Sequence, residues 1–143
     1  MKINSILKSG AIRHPNKEAL GTPQRTWTYR QLQEDAAKTA TLFTDRGAGE
    51  GSTIAAMTYN EAEFVITAFA TWMLGATFVP VNHKFATPEA KYILEHCEAT
   101  LGVVSPELLE TATEAAPGMQ WLQTGDDDSF LQDIAHLALH QEE

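Results

Sequence analysis

A chain of 143 residues with 43% hydrophobic and 20% charged content is the size and composition of one soluble globular domain with one core. A formal net charge of −9 argues against a nucleic-acid-binding surface, which usually needs a basic patch to displace counterions from phosphates. The single cysteine, Cys97, cannot close an intramolecular disulfide, and no apolar run reaches the roughly 18 residues of a membrane span. The opening MKINSILKSG lacks the apolar core of a signal peptide, so the cytoplasm is the expected location.

In chain order, Ile3, Ile6, Leu7 and Ile12 predict a short opening helix that ends at His14-Pro15-Asn16. Glu18 to Gly21 and Arg25 to Thr28 flank Thr22-Pro23-Gln24, a hairpin with Pro23 in its turn. Thr28 followed by Gln31 is a capping box, and Leu32, Ala36, Ala40 and Phe43 then recur at helical spacing until Gly47. Gly47, Gly49 and Gly51 are spaced somewhat like a dinucleotide-binding loop, but such a loop follows a strand and opens a helix. This one follows a helix and precedes a strand, which makes it a tight helix-to-strand turn.

Strands and helices then alternate: strand 53–57, helix 61–74, strand 76–81, helix 88–97, strand 100–104 and helix 106–114. Asn60 with Glu63 reads as a capping box for helix 61–74, Thr87-Pro88-Glu89 as an N-cap with proline at the first helical position, and Ser105-Pro106-Glu107 repeats that pattern. Helix 61–74 is apolar on nearly every side, with Glu63, Thr67 and Thr71 as one thin polar stripe. Gly75 sits where the helix end demands positive φ, and Ala76 to Val81 follow as a buried strand. Met119 to Leu122 is a fourth short strand, Gly125 to Asp128 an acidic loop, and Ser129 to Leu139 a last helix capped by Ser129. Strands joined by helices imply right-handed crossovers and a mostly parallel sheet with helices on both faces. The expected organisation of 1–143 is a single α/β domain: helix and hairpin in 1–28, α/β core in 29–115, and a tail with acidic loop and last helix in 116–143.

Candidate chemistry is sparse. His136 and His140 stand at i and i+4 on the expected last helix, a spacing that can chelate a metal, but no third ligand accompanies them. Asp126 to Asp128 lacks the glycine-spaced, glutamate-terminated pattern of a calcium loop. His96 and the adjacent Cys97 point to different helix faces and make no nucleophile–base pair. In an open parallel sheet, ligands gather outside the carboxyl ends of the strands, here Tyr59-Asn60, Asn82-His83-Lys84 and Ser105. None of these carries a phosphate loop, a serine elbow or an acid–base pair.

Two motifs, in order, bear a resemblance. Thr26-Trp27-Thr28-Tyr29-Arg30-Gln31-Leu32 looks like the (S/T)Y-x-x-L opening of a first long helix, and Met73 to Asn82, MLGATFVPVN, looks like LKAGxAYVP(I/L)(D/N). Both belong to the N-terminal portion of the adenylate-forming enzymes, which include acyl-CoA synthetases, luciferases and peptide-synthetase adenylation domains. The resemblance runs from about residue 5 to 115 and takes in Gly47-Ala48-Gly49, Asn60 with Glu63-Phe64, and Glu89 to Leu94. Asn82, where peptide-synthetase modules usually have Asp, tilts it toward the acyl-CoA synthetase branch, while Met73 and Lys84 depart from the pattern's Lys and Arg.

In the family, the Ser/Thr/Gly-rich ATP loop, the ribose-binding acid, the hinge and the catalytic lysine lie downstream of the matched region. The resemblance therefore assigns no catalytic, cofactor-binding or metal residue to any position here. It implies a parent fatty acid–CoA ligase using ATP, Mg and CoA, whose adenylation activity this portion would lack alone. The remainder of the parent chain is the expected partner, with a homodimer through helix 61–74 or a sheet edge as another. The competing reading is a stand-alone interaction or regulatory module, and a flavodoxin-like small-molecule-binding domain is a third.

Overall fold

The computed structural model describes residues 5–125 and 129–140. Helix α1 (Ser5–Arg13) leads into the hairpin of β1 (Glu18–Gly21) and β2 (Thr26–Thr28), followed by α2 (Tyr29–Asp45). The remaining elements are β3 (Thr53–Met57), α3 (Ala62–Met73), β4 (Thr77–Pro80), α4 (Thr87–His96), β5 (Leu101–Val104), α5 (Leu109–Ala115) and β6 (Gln120–Gln123). A 3₁₀ turn at Pro106–Leu108 precedes α5 and another lies at Phe130–Gln132. Among the described residues no helix is long and apolar enough to cross a membrane.

Strands β3 to β6 form one parallel sheet in the order β4-β3-β5-β6, with Ile54 opposite both Phe78 and Leu101, and Leu101 opposite Gln120. Alternation along the two central strands divides the core. Ile54, Leu101 and Val103 pack with Ala40, Phe43 and Ala70 of α2 and α3. On the other face, Ala55, Met57 and Val104 pack with Ala90 and Leu94 of α4 and Ala112 of α5. With both faces covered, every residue of β5 is buried, as expected for the interior of a parallel sheet. Gly102 is required there because a Cβ at that point would overlap the Trp121 ring on β6. A third cluster joins the N-terminal elements to the layer, with Leu7, Trp27, Leu32, Ala36, Ala62 and Ile66 buried together.

The hairpin is pinned to α2. Trp27 is buried and its Nε1 donates to Asp35 at 2.8 Å, while the Arg25 guanidinium stacks over the Trp27 ring at 4.1 Å and also reaches Asp35. The Thr28–Gln31 capping box is present, with reciprocal bonds of 3.2 and 2.9 Å. Gly47 and Gly51 take positive φ in the turn between α2 and β3, and Gly75 does so after α3.

Four sequence expectations are corrected. The expected capping box of Asn60 with Glu63 is not formed: the N-cap of α3 is Glu61, without a side-chain cap, and the carboxylates of Glu61 and Glu63 are engaged elsewhere. The cap of α4 falls on Ala86 rather than Thr87, whose hydroxyl instead donates to Glu114 at 3.3 Å. The stripe of Glu63, Thr67 and Thr71 is buried, while Phe64, Val65, Phe69 and Trp72 are the half-buried side of α3. Residues 129–139 do not form a helix: after the short 3₁₀ turn the chain runs irregularly along α2, where Thr41 Oγ1 donates to the Ala138 carbonyl at 2.7 Å and the His140 N–H to that of Ala37 at 3.2 Å. Phe130 and Ile134 anchor this run in the core, Phe130 lying 6.5 Å from the Phe43 ring.

Candidate functional site

The sheet reverses its winding between β3 and β5: the chain leaves β3 toward β4 on one side and continues from β5 to β6 on the other. Loops diverge from such a point and leave a crevice at the carboxyl ends of the strands. All three strand-end groups expected from the sequence converge there. The Tyr59 N–H donates to Ser105 Oγ at 3.0 Å, joining the ends of β3 and β5, and the Tyr59 ring lies 4.9 Å from the His83 ring in the loop after β4. Asn82 Oδ1 accepts the Lys84 N–H at 2.9 Å, which shapes that loop locally.

Ser105 is fully buried, and its hydroxyl donates to the Glu61 carboxylate in a short hydrogen bond while accepting from Tyr59. With both its donor and an acceptor lone pair used, the buried hydroxyl acts as a brace across the crevice. This also explains why Ser105 does not cap the following 3₁₀ turn with its side chain. Glu63, in the first turn of α3, plays a parallel part: its Oε2 accepts from the Gly125 N–H and the Ser129 hydroxyl, each at 3.1 Å, and so ties the loop after β6 to the same end of the sheet.

A cleft of about 760 Å³ opens above these braces, walled by the hairpin turn with Arg25, the start of α3, Glu107 and Thr124. Of the strand-end residues expected from the sequence, Asn60 lines this cleft, whereas Glu61, Glu63 and the hairpin wall carry no such expectation. Those residues reach the cleft by tertiary packing, and the only local signal was the acid-rich start of α3. Three carboxylates, Glu61, Glu63 and Glu107, face one guanidinium, Arg25, which is already paired with Asp35. That donor set does not fit a nucleotide polyphosphate, which calls for several cations or backbone N–H groups aimed at one point.

The remaining sequence candidates lie apart. His136 and His140 sit in irregular chain, without the helical register that would align them, and His96 stacks on Tyr92 at a ring distance of 5.8 Å. Cys97, half-buried at the C-cap of α4, points its thiol to the Leu94 carbonyl. Asp126 to Asp128 lie outside the described residues. Among the described residues, no three His, Cys, Asp or Glu side chains gather so as to hold a metal ion.

The family model for the AMP-binding enzyme matches residues 7–140. The chain belongs to the AMP-binding enzyme family. Among its relatives, indoleacetate–CoA ligase of Aromatoleum aromaticum is 30% identical over 109 residues, which make up 76% of this chain and 21% of that protein. Surfactin synthase subunit 3 of Bacillus subtilis is 31% identical over 107 residues, 75% of this chain and 8% of that protein. An anthranilate CoA ligase, solved in complex with anthranoyl-AMP, superimposes with a TM-score of 0.91 at 28% identity over 99% of this chain and 28% of its own. The chain thus spans about a fifth of the CoA ligase relative and under a third of the solved one. The α/β layer with its four-stranded parallel sheet and small hairpin matches the N-terminal domain of adenylate-forming CoA ligases.

Proposed function

We propose that this chain is the N-terminal structural portion of a carboxylic acid–CoA ligase whose parent forms an acyl-adenylate from ATP and then an acyl-CoA thioester. The observation that carries the reading is the superposition of 99% of the chain on an anthranilate CoA ligase at 28% identity. Asn82 supports the CoA-ligase branch over the peptide synthetases, in line with the motif comparison of Met73 to Asn82. ATP, Mg²⁺ and CoA are the parent's cofactors in this reading, and the rest of the parent chain is this portion's partner.

The acid is a fatty acid in the reading drawn from the sequence motifs. A second reading, an aryl or arylacetic acid, is favoured by relatives named for indoleacetate and anthranilate. The test begins with the DNA beyond Glu143. If the frame continues, its full product is assayed for CoA thioester formation with octanoate, palmitate, benzoate, indoleacetate and a panel of amino acids. Thioester from any of the carboxylic acids supports the proposal, and the preferred acid chooses between the two readings. Adenylation confined to amino acids, with no CoA thioester, overturns it. A stop codon directly after Glu143 favours the stand-alone interaction module instead.

A further inference from the structure

Charge is segregated along this acidic chain. Four of its ten Lys and Arg residues and none of its 19 acids fall within residues 1–17, so that segment is formally +4, and the total of −9 leaves −13 on the remainder. Helix α1 makes up much of the segment. Its inner side is fixed by Leu7, which is buried against Trp27 and Leu32. At about 100° per residue, Ile6, Ser9 and Ile12 fall on the opposite arc, with Arg13 between Ser9 and Ile6 and Lys8 beside Ile12. Ile6 and Ile12 are 64% and 71% exposed, the most exposed isoleucines among the described residues. Lys8 and Arg13 are exposed beside them, and exposed His14 and Lys17 follow. Lys8 and Arg30 share a shallow cavity of about 340 Å³ with Glu34, so cations outnumber the acid at that flank as well.

A single exposed isoleucine is ordinary on a protein surface, but two on one arc interleaved with cations make an amphipathic surface of a particular kind. Nucleic-acid phosphates would reward the cations and gain nothing from the aliphatic side chains. A bilayer with anionic headgroups rewards both, because the aliphatic groups enter the acyl boundary while Lys and Arg remain with the phosphates. We propose that the outer face of α1, with the basic run that follows it, docks on an anionic lipid bilayer surface. The helix lies in the plane of the interface, with Ile6 and Ile12 inserted and Lys8, Arg13 and Lys17 at headgroup level. With two inserted side chains and a handful of cations the attachment is reversible, and the acidic remainder of the molecule orients away from the surface. The inference does not depend on which acid the parent activates.

Co-sedimentation of the 143-residue chain with vesicles tests it, using phosphatidylserine and phosphatidylcholine at about a 1:2 ratio against phosphatidylcholine alone. The chain is expected on the anionic vesicles and not on the neutral ones, and raising salt from about 0.05 to about 0.5 M should release it. The pair Lys8→Glu and Arg13→Glu should lower the partition coefficient about tenfold or more, and the pair Ile6→Ser and Ile12→Ser should lower it by about tenfold, with melting temperatures unchanged because these side chains are exposed. Absence from anionic vesicles at low salt, equal binding to neutral vesicles, or wild-type partition by both double variants would each overturn the proposal. So would binding to duplex DNA as tight as to vesicles and indifferent to the isoleucine pair, which would assign the face to nucleic acid.

Discussion

Ser105 illustrates how one hydroxyl organises the end of this sheet. It links the backbone after β3 to a carboxylate at the start of α3, so removing it leaves the Tyr59 N–H and one Glu61 oxygen without their partner. Ser105→Ala should cost about 0.5–1.5 kcal/mol in urea unfolding, the usual net worth of a partly buried hydrogen bond, with no change in far-UV circular dichroism. A cost near zero would mean that the brace is replaceable by water. Gly102 is constrained by shape instead of by hydrogen bonding: Gly102→Ala drives a methyl into the Trp121 ring and should destabilise by about 1–3 kcal/mol, an overpacking cost. Trp121→Leu in the same background should recover part of that loss, because the clash lies with the ring. Neither constraint was legible locally. Ser105 reads as an N-cap from its Pro-Glu sequel, and only the fold shows that its hydroxyl is drawn off to a residue 44 positions earlier.

Elements with a strong local signal were legible almost to the residue. Thr28 with Gln31 marks the start of α2, and Thr28→Ala should cost about 1 kcal/mol, read from the shift in thermal midpoint. The strands are marked by β-branched runs between glycine stops, and Met119 to Leu122 is found one residue along, at Gln120–Gln123. Two elements mislead for a shared reason. Within the helix-spaced run 129–139, Phe130 and Ile134 are core residues with Leu131 and Leu137 packed against them, but α2 supplies the hydrogen-bond partners at Ala135, Ala138 and His140, and tertiary bonds replace the helical ladder. In α3, the polar stripe is an interior feature: Thr71 returns its hydroxyl to the Thr67 carbonyl, and Glu63 serves the loop after β6.

The outer side of α3 is consequently aromatic. Phe64 and Trp72 both meet Phe78 of β4 edge-on, at 5.3 and 6.0 Å, and all three are half-buried. We propose that the isolated chain self-associates through this side. Sedimentation equilibrium should show a concentration-dependent dimer that Trp72→Glu dissociates without lowering the melting temperature. A strict monomer at high concentration, or loss of the cooperative melt in that variant, would count against it.

At the scale of the whole molecule, the sheet order places its crevice between β3 and β5, and the sequence located the three strand ends that meet there. It could not show the walls, since Arg25, Glu63 and Thr124 come from segments far apart in the chain. Those walls are acidic, and their one guanidinium is engaged by Asp35, which supports the proposal that the phosphate chemistry of the parent is supplied by residues beyond the portion this chain shares with its relatives. ATP–pyrophosphate exchange by the purified 143-residue chain, with Mg²⁺ and a panel of fatty, aryl and amino acids, tests that account most directly. The prediction is exchange indistinguishable from a no-protein blank for every acid, because transfer of the adenylyl group with release of pyrophosphate depends on positioned donors and a metal ion. Exchange clearly above the blank that depends on one of the acids would contradict it.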